Sequence, residues 1–546
     1  MTLAKQIDTP PLVLPGRLQV SDKSQSFQPL AVSQGRFGQA ALLVCASTSL
    51  LALFMGGLLW NAYDVVNLVV AASALGLLFN TKTSLQRLGR LTQSVLGGLA
   101  LVGLYAAAVT LILLFQSNPE PHPVLGEVSR LMSPQRALRW LSQWAASLSL
   151  VWIVIATCTR NPKQLSLIVK LLVASGSAVA FIGIAHWFTD NGHLFWFISP
   201  QEAFVSNRLR WPFVNCDHMA AFLVMILFPT VAFAHQAWRA TAHDLEQRAS
   251  LASKSPGGSS RKPRSLVSRL SRLAQSPHSA KNLARAIAGV IAVVMLTVSI
   301  LGTLSRTAWF AMSVGFVTYI LLAVTRRTKS REVEVGIQRR TKRTSTARTV
   351  KQVSSKLVRR VLGYIPSILV GAVPLIFVVL LLQGGGGDLI ETRLSGMSKT
   401  LPQDPRWTMY KDSIALLKDA PLFGIGVGQW QALHTTAADS TLAGVSIDYA
   451  HSDILQTAVE LGVLGMLPLL ALAGVIARAI PSIRRESDHA RRRLLAGLSA
   501  ALLAGTVCAA FDFPLRLPAI SYLYVTVLAL LAVALSGKEV EHQRPR

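Results

Sequence analysis

Four polar residues that could carry out chemistry lie in the short segment 451–460, immediately before a long apolar run. His451 is the residue type that most often serves as a general base near neutral pH. Asp453, Gln456 and Glu460 follow three and four residues apart, so a helix would place all three on one face. The spacing of Asp453 and Gln456 is that of a capping box, which predicts that the helix begins at Asp453.

The predicted helix also sets the environment of His451 and Glu460. The positive end of the helix dipole disfavours a cation, so His451 is expected to be neutral, the form that a general base requires. Glu460 would lie about 10 Å further along the helix axis than Asp453, at about 1.5 Å per residue. A carboxylate at that depth beside lipid must face the protein interior and have a partner. We therefore expect Glu460 to have a structural role.

Arginines form the second set of candidate residues, because several stand in or beside short connections between apolar runs. Arginine stays charged beside lipid and binds phosphate oxygens through two N–H groups at once. Such residues suit a lipid pyrophosphate, which would bring its own activated bond. The candidates for this role are Arg208, Arg210, Arg306 and Arg406. We expect Arg516 instead to pair with Asp512, which lies four residues earlier and would share its helix face.

The composition indicates that membrane helices position these residues. Of 546 residues, 51% are apolar and only 15% are charged, and the mean hydropathy is +0.44. Apolar runs of about twenty residues recur, each long enough to cross about 30 Å of hydrocarbon as a helix. The sequence predicts an all-α, polytopic integral membrane protein with about twelve transmembrane helices. The predicted spans are 38–60, 62–80, 93–115, 138–158, 165–188, 213–235, 284–304, 307–325, 361–382, 452–479, 494–512 and 519–536.

The distribution of basic residues predicts the orientation of the spans. With the N-terminus in the cytoplasm, 42 of the 54 Lys and Arg residues fall in or beside cytoplasmic segments, and 12 in or beside outer segments. This positive-inside pattern predicts two cytoplasmic termini and places the candidate residues on the outer side. The predicted organisation is a cytoplasmic tail (1–37), spans 1–6 (38–235), a basic cytoplasmic loop (236–283), spans 7–8 (284–325), a second basic loop (326–360), span 9 (361–382), an outer loop (383–451), spans 10–12 (452–536) and a cytoplasmic tail (537–546).

The net charge of +28 does not indicate nucleic-acid binding. No basic–aromatic stacking platform accompanies the two basic loops, and topology together with contact with anionic membrane lipids accounts for them. The four cysteines are scattered without CxxC spacing, and no His and carboxylate residues stand at metal-ligand spacing. The glycine-rich stretches 383–388 and 424–430 lack the features of nucleotide-binding loops. We therefore expect no nucleic-acid partner, no metal and no cofactor.

The end of the predicted outer loop has the pattern of a short surface helix. Between 405 and 422, apolar residues recur with lysines between them, which is typical of an amphipathic helix in the membrane interface. Trp407 and Tyr410 would anchor it there. The glycines of 424–428 predict a tight turn after it. Such an element would cover a cavity at the outer leaflet.

Five segments between about residues 200 and 530 resemble, in order, those of a known family. They are RLRWPFVNCDHMAAFL, LSRTAWF, the pair RWTM and PLFGIGVGQW, AHSDILQTAVELGVLG, and DFPLRLPA. Together they resemble the O-antigen ligase and O-antigen polymerase (Wzy-type) superfamily of membrane glycosyltransferases. The first segment departs from the family pattern, because residues 211–213 read Trp-Pro-Phe instead of Gly-Thr-Phe, and Asp217 replaces the second Asn.

The resemblance implies a GT-C-like helical fold in a bacterial inner membrane, with a large periplasmic loop between spans 9 and 10. It implies a metal-independent, inverting transfer of a glycan from an undecaprenyl-pyrophosphate carrier to an acceptor hydroxyl on the periplasmic side. By matching position, His451 would deprotonate the acceptor, and Arg306 and Arg406 would bind the leaving pyrophosphate. Either Arg208 or Arg210 would be the third arginine of that site. The residues expected to support the site are Asp453, Gln456, Glu460 and His218.

The acceptor defines the particular activity within this superfamily, and the sequence leaves it open. A ligase transfers the glycan to lipid A-core, a polymerase to another lipid-linked glycan, and an O-oligosaccharyltransferase to a protein hydroxyl. The general pattern favours an O-antigen ligase-like enzyme of surface polysaccharide biosynthesis. A secondary transporter with twelve spans is an alternative from a different class, although the sequence shows no inverted repeat or matching pair of broken helices. A non-enzymatic scaffold of an export complex is a third possibility.

Overall fold

The computed structural model describes residues 39–40, 43–44, 47–48, 60–80, 88–115, 133–189, 193, 196, 208–252, 277–323, 403–437 and 447–542. Most of the predicted span 38–60 and all of the predicted span 361–382 lie outside these residues. The tail 1–37 and the second basic loop, 326–360, lie outside them as well.

All regular structure in the described residues is helical. In chain order the α-helices are α1 (Trp60–Asn80), α2 (Arg90–Phe115), α3 (Pro134–Arg160), α4 (Lys163–Phe188), α5 (Cys216–Ala252), α6 (Pro277–Gly302), α7 (Arg306–Ala323), α8 (Arg406–Asp419), α9 (Trp430–Ala437), α10 (Asp453–Ile483), α11 (His489–Phe511) and α12 (Pro518–His542). A short 3-10 helix, Pro514–Arg516, lies between α11 and α12.

Nine of the described helices, α2 to α7 and α10 to α12, are long and apolar enough to cross a membrane. Each corresponds to a predicted span, so the prediction of an all-α polytopic membrane protein is confirmed. Helix α1 corresponds to the predicted span 62–80, and its described apolar part is Val65–Leu77. The total of about twelve spans stays a prediction, because two of the predicted spans fall mostly or wholly outside the described residues.

Helix α5 continues well beyond the predicted end of its span at residue 235. It runs to Ala252, because the sequence 236–252 contains no glycine or proline to end it. The first part of the predicted basic loop 236–283 is therefore helical. At the other end of that loop, α6 begins at Pro277, seven residues before the predicted span, and proline is well suited to a helix start.

Helix α5 is the central element of the bundle, and nearly all of its apolar part is buried. It packs against α6, α11 and α7. Glycines allow two of these helices to approach closely. A Cβ on Gly289 of α6 would lie 2.9 Å from Ala234, and one on Gly497 of α11 would lie 2.8 Å from the carbonyl oxygen of Phe228. Small residues at such contacts are typical of packed membrane helices.

The helix directions bring four connections together at one end of the bundle. Leu209 N, before α5, donates a hydrogen bond to Gly302 O at the end of α6 (2.9 Å). Asp453 N, at the start of α10, donates to Asp512 O after α11 (3.0 Å). The start of α5, the α6–α7 hairpin, the start of α10 and the α11–α12 connection therefore lie side by side. The candidate residues Arg208, Arg210, Arg306 and His451 fall in or directly beside these connections.

A tight turn between α8 and α9 is attached to α10 by main-chain hydrogen bonds. Ile425 N donates to Val459 O (3.0 Å), and Val463 N donates to Pro421 O (2.8 Å). These bonds form because α10 is interrupted at Gly462, which has a φ of +66°. We call the paired segments 421–426 and 459–464 the glycine clasp. The clasp holds α8 and α9 against the helix that follows His451.

Gly462→Ala is expected to lower the thermal stability of the protein. Gly462 has φ +66° and ψ −176°, a conformation that is essentially confined to glycine and costs other residues about 1–3 kcal/mol. A Cβ here would also lie 2.5 Å from Gly424 N and Leu422 O. The measurement is the apparent melting temperature of the purified protein in detergent.

Gly474→Ala in the same helix is the matched control. A Cβ on Gly474 meets no atom within 4 Å, and alanine is the better helix former. Its melting temperature should be equal to or above that of the original protein. Equal melting temperatures for the two variants would contradict the role of the clasp.

Candidate functional site

The hairpin between α6 and α7 presents Arg306 at the end of the bundle where α5 and α10 begin. The Ser305 hydroxyl accepts a hydrogen bond from Ala308 N (3.4 Å), so Ser305 caps α7 and Arg306 is its first residue. Nη2 of Arg306 lies 3.8 Å from Oδ2 of Asp404, and 30% of the arginine side chain is exposed. This ion pair connects the hairpin to the segment before α8.

Arg406, the first residue of α8, lies on the other side of the same carboxylate. Its backbone N donates to Oδ1 of Asp404 (3.1 Å), and its Nη1 donates to Phe511 O (3.0 Å). Burial would lower the pKa of Arg406, but three nearby carboxylates outweigh this and raise that pKa above its ordinary value. They belong to Asp512, Asp217 and Asp404. The guanidinium therefore stays charged in its half-buried position.

The two candidate arginines before α5 have different surroundings. Nε of Arg208 donates to Thr303 O in the α6–α7 hairpin (2.7 Å), and its Nη2 lies 3.0 Å from Oδ1 of Asp217. The guanidinium of Arg210 lies over the ring of Trp211, 5.3 Å from its centroid. Because Asp217 also interacts with Arg406, Arg208 is the candidate that the structure joins to the other arginines.

His451 is held in an unusual backbone conformation. Its φ is +51°, in the left-handed region that residues with a Cβ rarely adopt. The hydroxyl of Tyr410 in α8 donates to the carbonyl oxygen of His451 (2.9 Å). Nδ1 of the imidazole lies 3.1 Å from Oδ1 of Asp512, and 26% of the side chain is exposed. These contacts fix the direction of the ring.

Asp512 determines which nitrogen of His451 carries a proton. Burial alone would raise the pKa of Asp512, but the hydrogen bond from His451 and the charge of Arg406 help to hold it below its ordinary value. An ionised carboxylate only accepts hydrogen bonds, so Nδ1 of His451 is the donor. In the neutral imidazole this leaves Nε2 unprotonated, and Nε2 makes no hydrogen bond within the described part of the chain. It is the nitrogen that can accept a proton from a substrate.

An aromatic residue, Phe513, packs against both histidines of this region. Its ring lies edge-on to His451 (4.8 Å between centroids) and to His218 (4.7 Å), and Tyr449 stacks on it (4.4 Å). His218 is buried in the first turn of α5, and its Nε2 has no hydrogen-bond partner among the described residues. The structure thus places His218 and His451 on the same aromatic ring, while the supporting role of His218 stays a prediction.

The remaining predicted residues form a buried network below His451. Nε2 of Gln456 donates to Oε1 of Glu460 (3.0 Å), while its Oε1 accepts from Ala450 N (3.0 Å). Nη1 of Arg516 donates to Oε2 of Glu460 (2.8 Å), and its Nε lies 3.4 Å from Oδ1 of Asp453. The three predicted side chains do share one helix face, and Glu460 has the partner that its depth requires. The network joins the loop before α10 to the loop after α11.

The prediction that Arg516 pairs with Asp512 is wrong. The backbone of Asp512 is extended (φ −156°, ψ −174°), and a 3-10 helix, Pro514–Arg516, follows it, so the two residues share no helix face. Proline lacks the N–H that a continuing helix needs and disfavours helical backbone at the residue before it. Asp512 instead pairs with His451, and Arg516 pairs with Glu460.

Helix α10 begins at Asp453 as predicted, but the predicted capping box is wrong. The N-cap is Ser452, whose hydroxyl accepts a hydrogen bond from Leu455 N (3.2 Å). The carboxylate of Asp453 accepts from Leu515 N instead (2.7 Å). Asp453 therefore holds the α11–α12 connection in place and does not cap its own helix.

Arg516→Gln is expected to destabilise the protein by about 3–5 kcal/mol, the range for removing one partner of a buried ion pair. The carboxylates of Asp453 and Glu460 would be left without their cation, and both are buried. Equilibrium unfolding in mixed micelles measures the loss. The double change Arg516→Gln with Glu460→Gln should recover part of it, whereas Arg478→Gln at an exposed position of α10 should have little effect. Equal losses in the single and double variants would contradict the pairing.

The predicted surface helix is present as α8, and it packs with α9 as a small separate core. Nε1 of Trp430 donates to the hydroxyl of Ser413 (3.0 Å), and its ring stacks on His434 (4.4 Å). Trp407 is 48% exposed and lies edge-on to Tyr410. Burial lowers the pKa of His434 despite its contact with the Asp412 carboxylate. The position of α8 in a membrane interface stays a prediction.

Eight polar side chains from separate parts of the chain thus meet at one end of the bundle. We call them the arginine–histidine cluster: Arg208, Asp217, His218, Arg306, Asp404, Arg406, His451 and Asp512. Five of them are predicted site residues: Arg208, His218, Arg306, Arg406 and His451. In the described part of the chain, no three His, Cys, Asp or Glu side chains are close enough together to hold a metal ion.

A bundle of membrane-length helices with a charged cluster at one end defines a polytopic membrane protein with a polar site at one end of its bundle. Residues 291–470, about a third of the chain, match the family model described as O-Antigen ligase, and this match supports the predicted resemblance to the superfamily of O-antigen ligases and polymerases. No curated protein matches the chain. The family implies a ligase- or glycosyltransferase-type enzyme of a bacterial membrane, with glycan and lipid-linked substrates.

The matched segment contains only part of the arginine–histidine cluster. It includes Arg306, Asp404, Arg406 and His451, while Arg208, Asp217, His218 and Asp512 lie outside it. The outside residues come from before α5, from its first turns and from the end of α11. The fold brings them to the matched residues, and their contacts extend the site beyond the matched segment.

Proposed function

We propose that the protein transfers a glycan from an undecaprenyl-pyrophosphate carrier to an acceptor hydroxyl at the periplasmic face of the inner membrane. The observation that carries this proposal is the His451–Asp512 pair beside two arginines. A base with a free Nε2 can deprotonate an alcohol, and guanidinium groups can bind the pyrophosphate that leaves. Both functions are needed in one site for transfer from a lipid pyrophosphate.

The proposed reaction is a single displacement. The acceptor hydroxyl loses its proton to Nε2 of His451, and its oxygen forms a bond with the anomeric carbon of the donor sugar. The bond between that carbon and the pyrophosphate oxygen breaks, its electron pair stays on the pyrophosphate, and the anomeric configuration inverts. Asp512 stabilises the imidazolium that forms. Arg306 and Arg406 neutralise the negative charge that grows on the leaving group.

Two further features support the proposed location and chemistry. The end of the bundle away from the cluster carries most of the described arginines in connections between spans, which the positive-inside rule assigns to the cytoplasm. The cluster would then face the periplasm. The base, the carboxylate that stabilises it and the two cations that neutralise the leaving group are all side chains of the protein. We therefore expect transfer to proceed without an added metal ion.

The test is transfer by the purified protein in lipid, with an undecaprenyl-pyrophosphate-linked glycan as donor. We expect loss of donor, formation of glycosylated acceptor of inverted configuration and release of undecaprenyl pyrophosphate, in the presence of EDTA. Movement of an intact solute across the membrane without glycosylated product would overturn the proposal in favour of a transporter. An unchanged donor and no solute movement would favour a scaffold.

The acceptor requires a separate test, for which we propose an O-antigen ligase-like activity. Deletion of the gene should then leave lipid A-core without glycan in the cell envelope. Lipid A-core that carries only one glycan repeat unit would indicate a polymerase. Under-glycosylated protein would indicate an O-oligosaccharyltransferase. Each outcome identifies one acceptor hydroxyl.

Arg208→Ala is expected to lower transfer activity strongly, and Arg210→Ala is expected to lower it much less. Arg208 pairs with Asp217 and holds the hairpin that carries Arg306, whereas the contact of Arg210 within the described residues is with the ring of Trp211. Initial rates of donor turnover for the two variants measure the difference. A larger loss in the Arg210 variant would reverse our assignment of the third arginine.

A further inference from the structure

A second group of polar side chains lies at the opposite end of the bundle, and the proposed transfer does not use it. His235 and Arg239 lie one turn apart on α5, Tyr319 lies in the last turns of α7, and Arg493 lies in the first turns of α11. Nδ1 of His235 is 3.0 Å from the hydroxyl of Tyr319. Arg239 and Arg493 are both close enough to His235 to act on its charge. We call these four residues the basic cluster.

Two buried nitrogen atoms of the basic cluster have no hydrogen-bond partner within the described residues. They are Nε2 of His235 and Nε of Arg493. The arginine nitrogen is always a donor. When the Tyr319 hydroxyl donates to Nδ1 of His235, Nε2 carries the ring proton and is a donor as well. Buried donors without an acceptor are costly and uncommon, so a group that supplies acceptor oxygens would fit here.

The charges around the basic cluster leave it positive. Three neighbouring arginines each donate to a main-chain carbonyl of another helix: Arg484 to Leu321 O, Arg491 to Ala534 O and Arg492 to Ala323 O. Of the nearby acids, Glu486 pairs with Arg491, and Asp488 caps α11 by accepting from Ala490 N (2.8 Å). His489, on the same helix, contacts Arg492. No carboxylate among the described residues forms an ion pair with Arg239 or Arg493.

We propose that the basic cluster binds a phosphate group, supplied by an anionic phospholipid. A phosphate offers several acceptor oxygens and a negative charge, which match the free donors and the two guanidinium groups. Arg493 lies in the first turns of α11, so the cluster is near one end of the bundle, where lipid headgroups would lie. The positive-inside pattern assigns this end to the cytoplasmic leaflet, whose anionic lipids attract basic residues.

The test titrates the purified full chain in detergent with phosphatidylglycerol and with phosphatidylcholine, and native mass spectrometry counts the bound lipid. We expect preferential binding of phosphatidylglycerol. Arg493→Gln and Arg239→Gln should each lower its affinity about tenfold, a typical loss for a charge-assisted hydrogen bond. Arg485→Gln removes the same charge from an exposed position at the same end and is the matched control.

The source of the phosphate is tested with inorganic phosphate in lipid-free detergent. Protection from thermal unfolding by inorganic phosphate, lost in Arg493→Gln, would support the same site with a soluble phosphate as its occupant. Binding of phosphatidylglycerol alone supports the lipid. If Arg493→Gln and Arg239→Gln weaken binding no more than Arg485→Gln, the cluster is not a site and the proposal is overturned. Melting temperatures without lipid show whether the variants fold.

Discussion

Replacing His451 with alanine is expected to lower kcat for glycan transfer by about 10²–10⁴-fold, the usual contribution of a general base. Without the imidazole, the acceptor hydroxyl has no group to take its proton as the new bond forms. Binding of the donor should change little, because the arginines remain. The measurement is single-turnover formation of glycosylated acceptor by purified protein in lipid, combined with the donor affinity.

Asp512, the partner of His451, allows a second test of the same role. Asp512→Asn should lower kcat by about 10²-fold or more, because an amide can donate to Nδ1 and so impose the wrong tautomer on the ring. His243→Ala is the control, since this histidine is exposed on the extension of α5. If His451→Ala keeps the original kcat with the fold intact, His451 is not the base.

Loss of the guanidinium from Arg306 or Arg406 is expected to have the second large effect. Each change to alanine should lower kcat/KM by about 10²–10³-fold, the range for removing one group that stabilises charge in the transition state. Lysine at either position should recover part of the activity, because it keeps the charge and loses the paired N–H groups. Rates of donor turnover across a range of donor concentrations measure these effects.

The two arginine positions differ in how cleanly they test this role. Among the described residues Arg306 makes a single ion pair, at 3.8 Å from Asp404, so we expect its removal to leave the fold unchanged. Arg406 also donates to Phe511 O, and its variants need a melting temperature beside the rate. Arg485→Ala, at the other end of the bundle, should leave transfer unchanged. Full activity in Arg306→Ala would remove this residue from the proposed site.

Much of the helical framework could be predicted because lipid imposes a length and a composition on each span. The ends of the helices were harder to predict, because a helix can continue through charged residues beyond its apolar span. Helix α5, which runs to Ala252, is an example. The shared helix face of Asp453, Gln456 and Glu460 was also predicted correctly, because local helix geometry relates these residues, whereas the predicted capping box was wrong. Their partner, Arg516, comes from another helix connection and could not be identified by spacing.

The role of Asp512 was missed for a related reason. It contacts His451 across 61 residues of sequence, and no local pattern records such a contact. One signal was available, because Pro514 argues against a helix that continues from Asp512 to Arg516. Asp404, which lies between two arginines, carried no signal of its own. Residue types at helix ends can be read from a sequence, whereas the pairs that they form require the packed bundle.

The ion pair between Glu460 and Arg516 has a consequence for how the protein is made. The two residues are 56 positions apart, so α10 enters the bilayer during synthesis before its counter-ion has been translated. A helix with unpaired carboxylates is costly in hydrocarbon. We therefore expect α10 to reach its final position only after the α11–α12 connection has been inserted. A nascent chain that ends before α11 would therefore lack the partner that stabilises α10. It would also lack the carboxylate of Asp512, which pairs with His451. We therefore expect a chain that ends before α11 to be inactive in the proposed transfer.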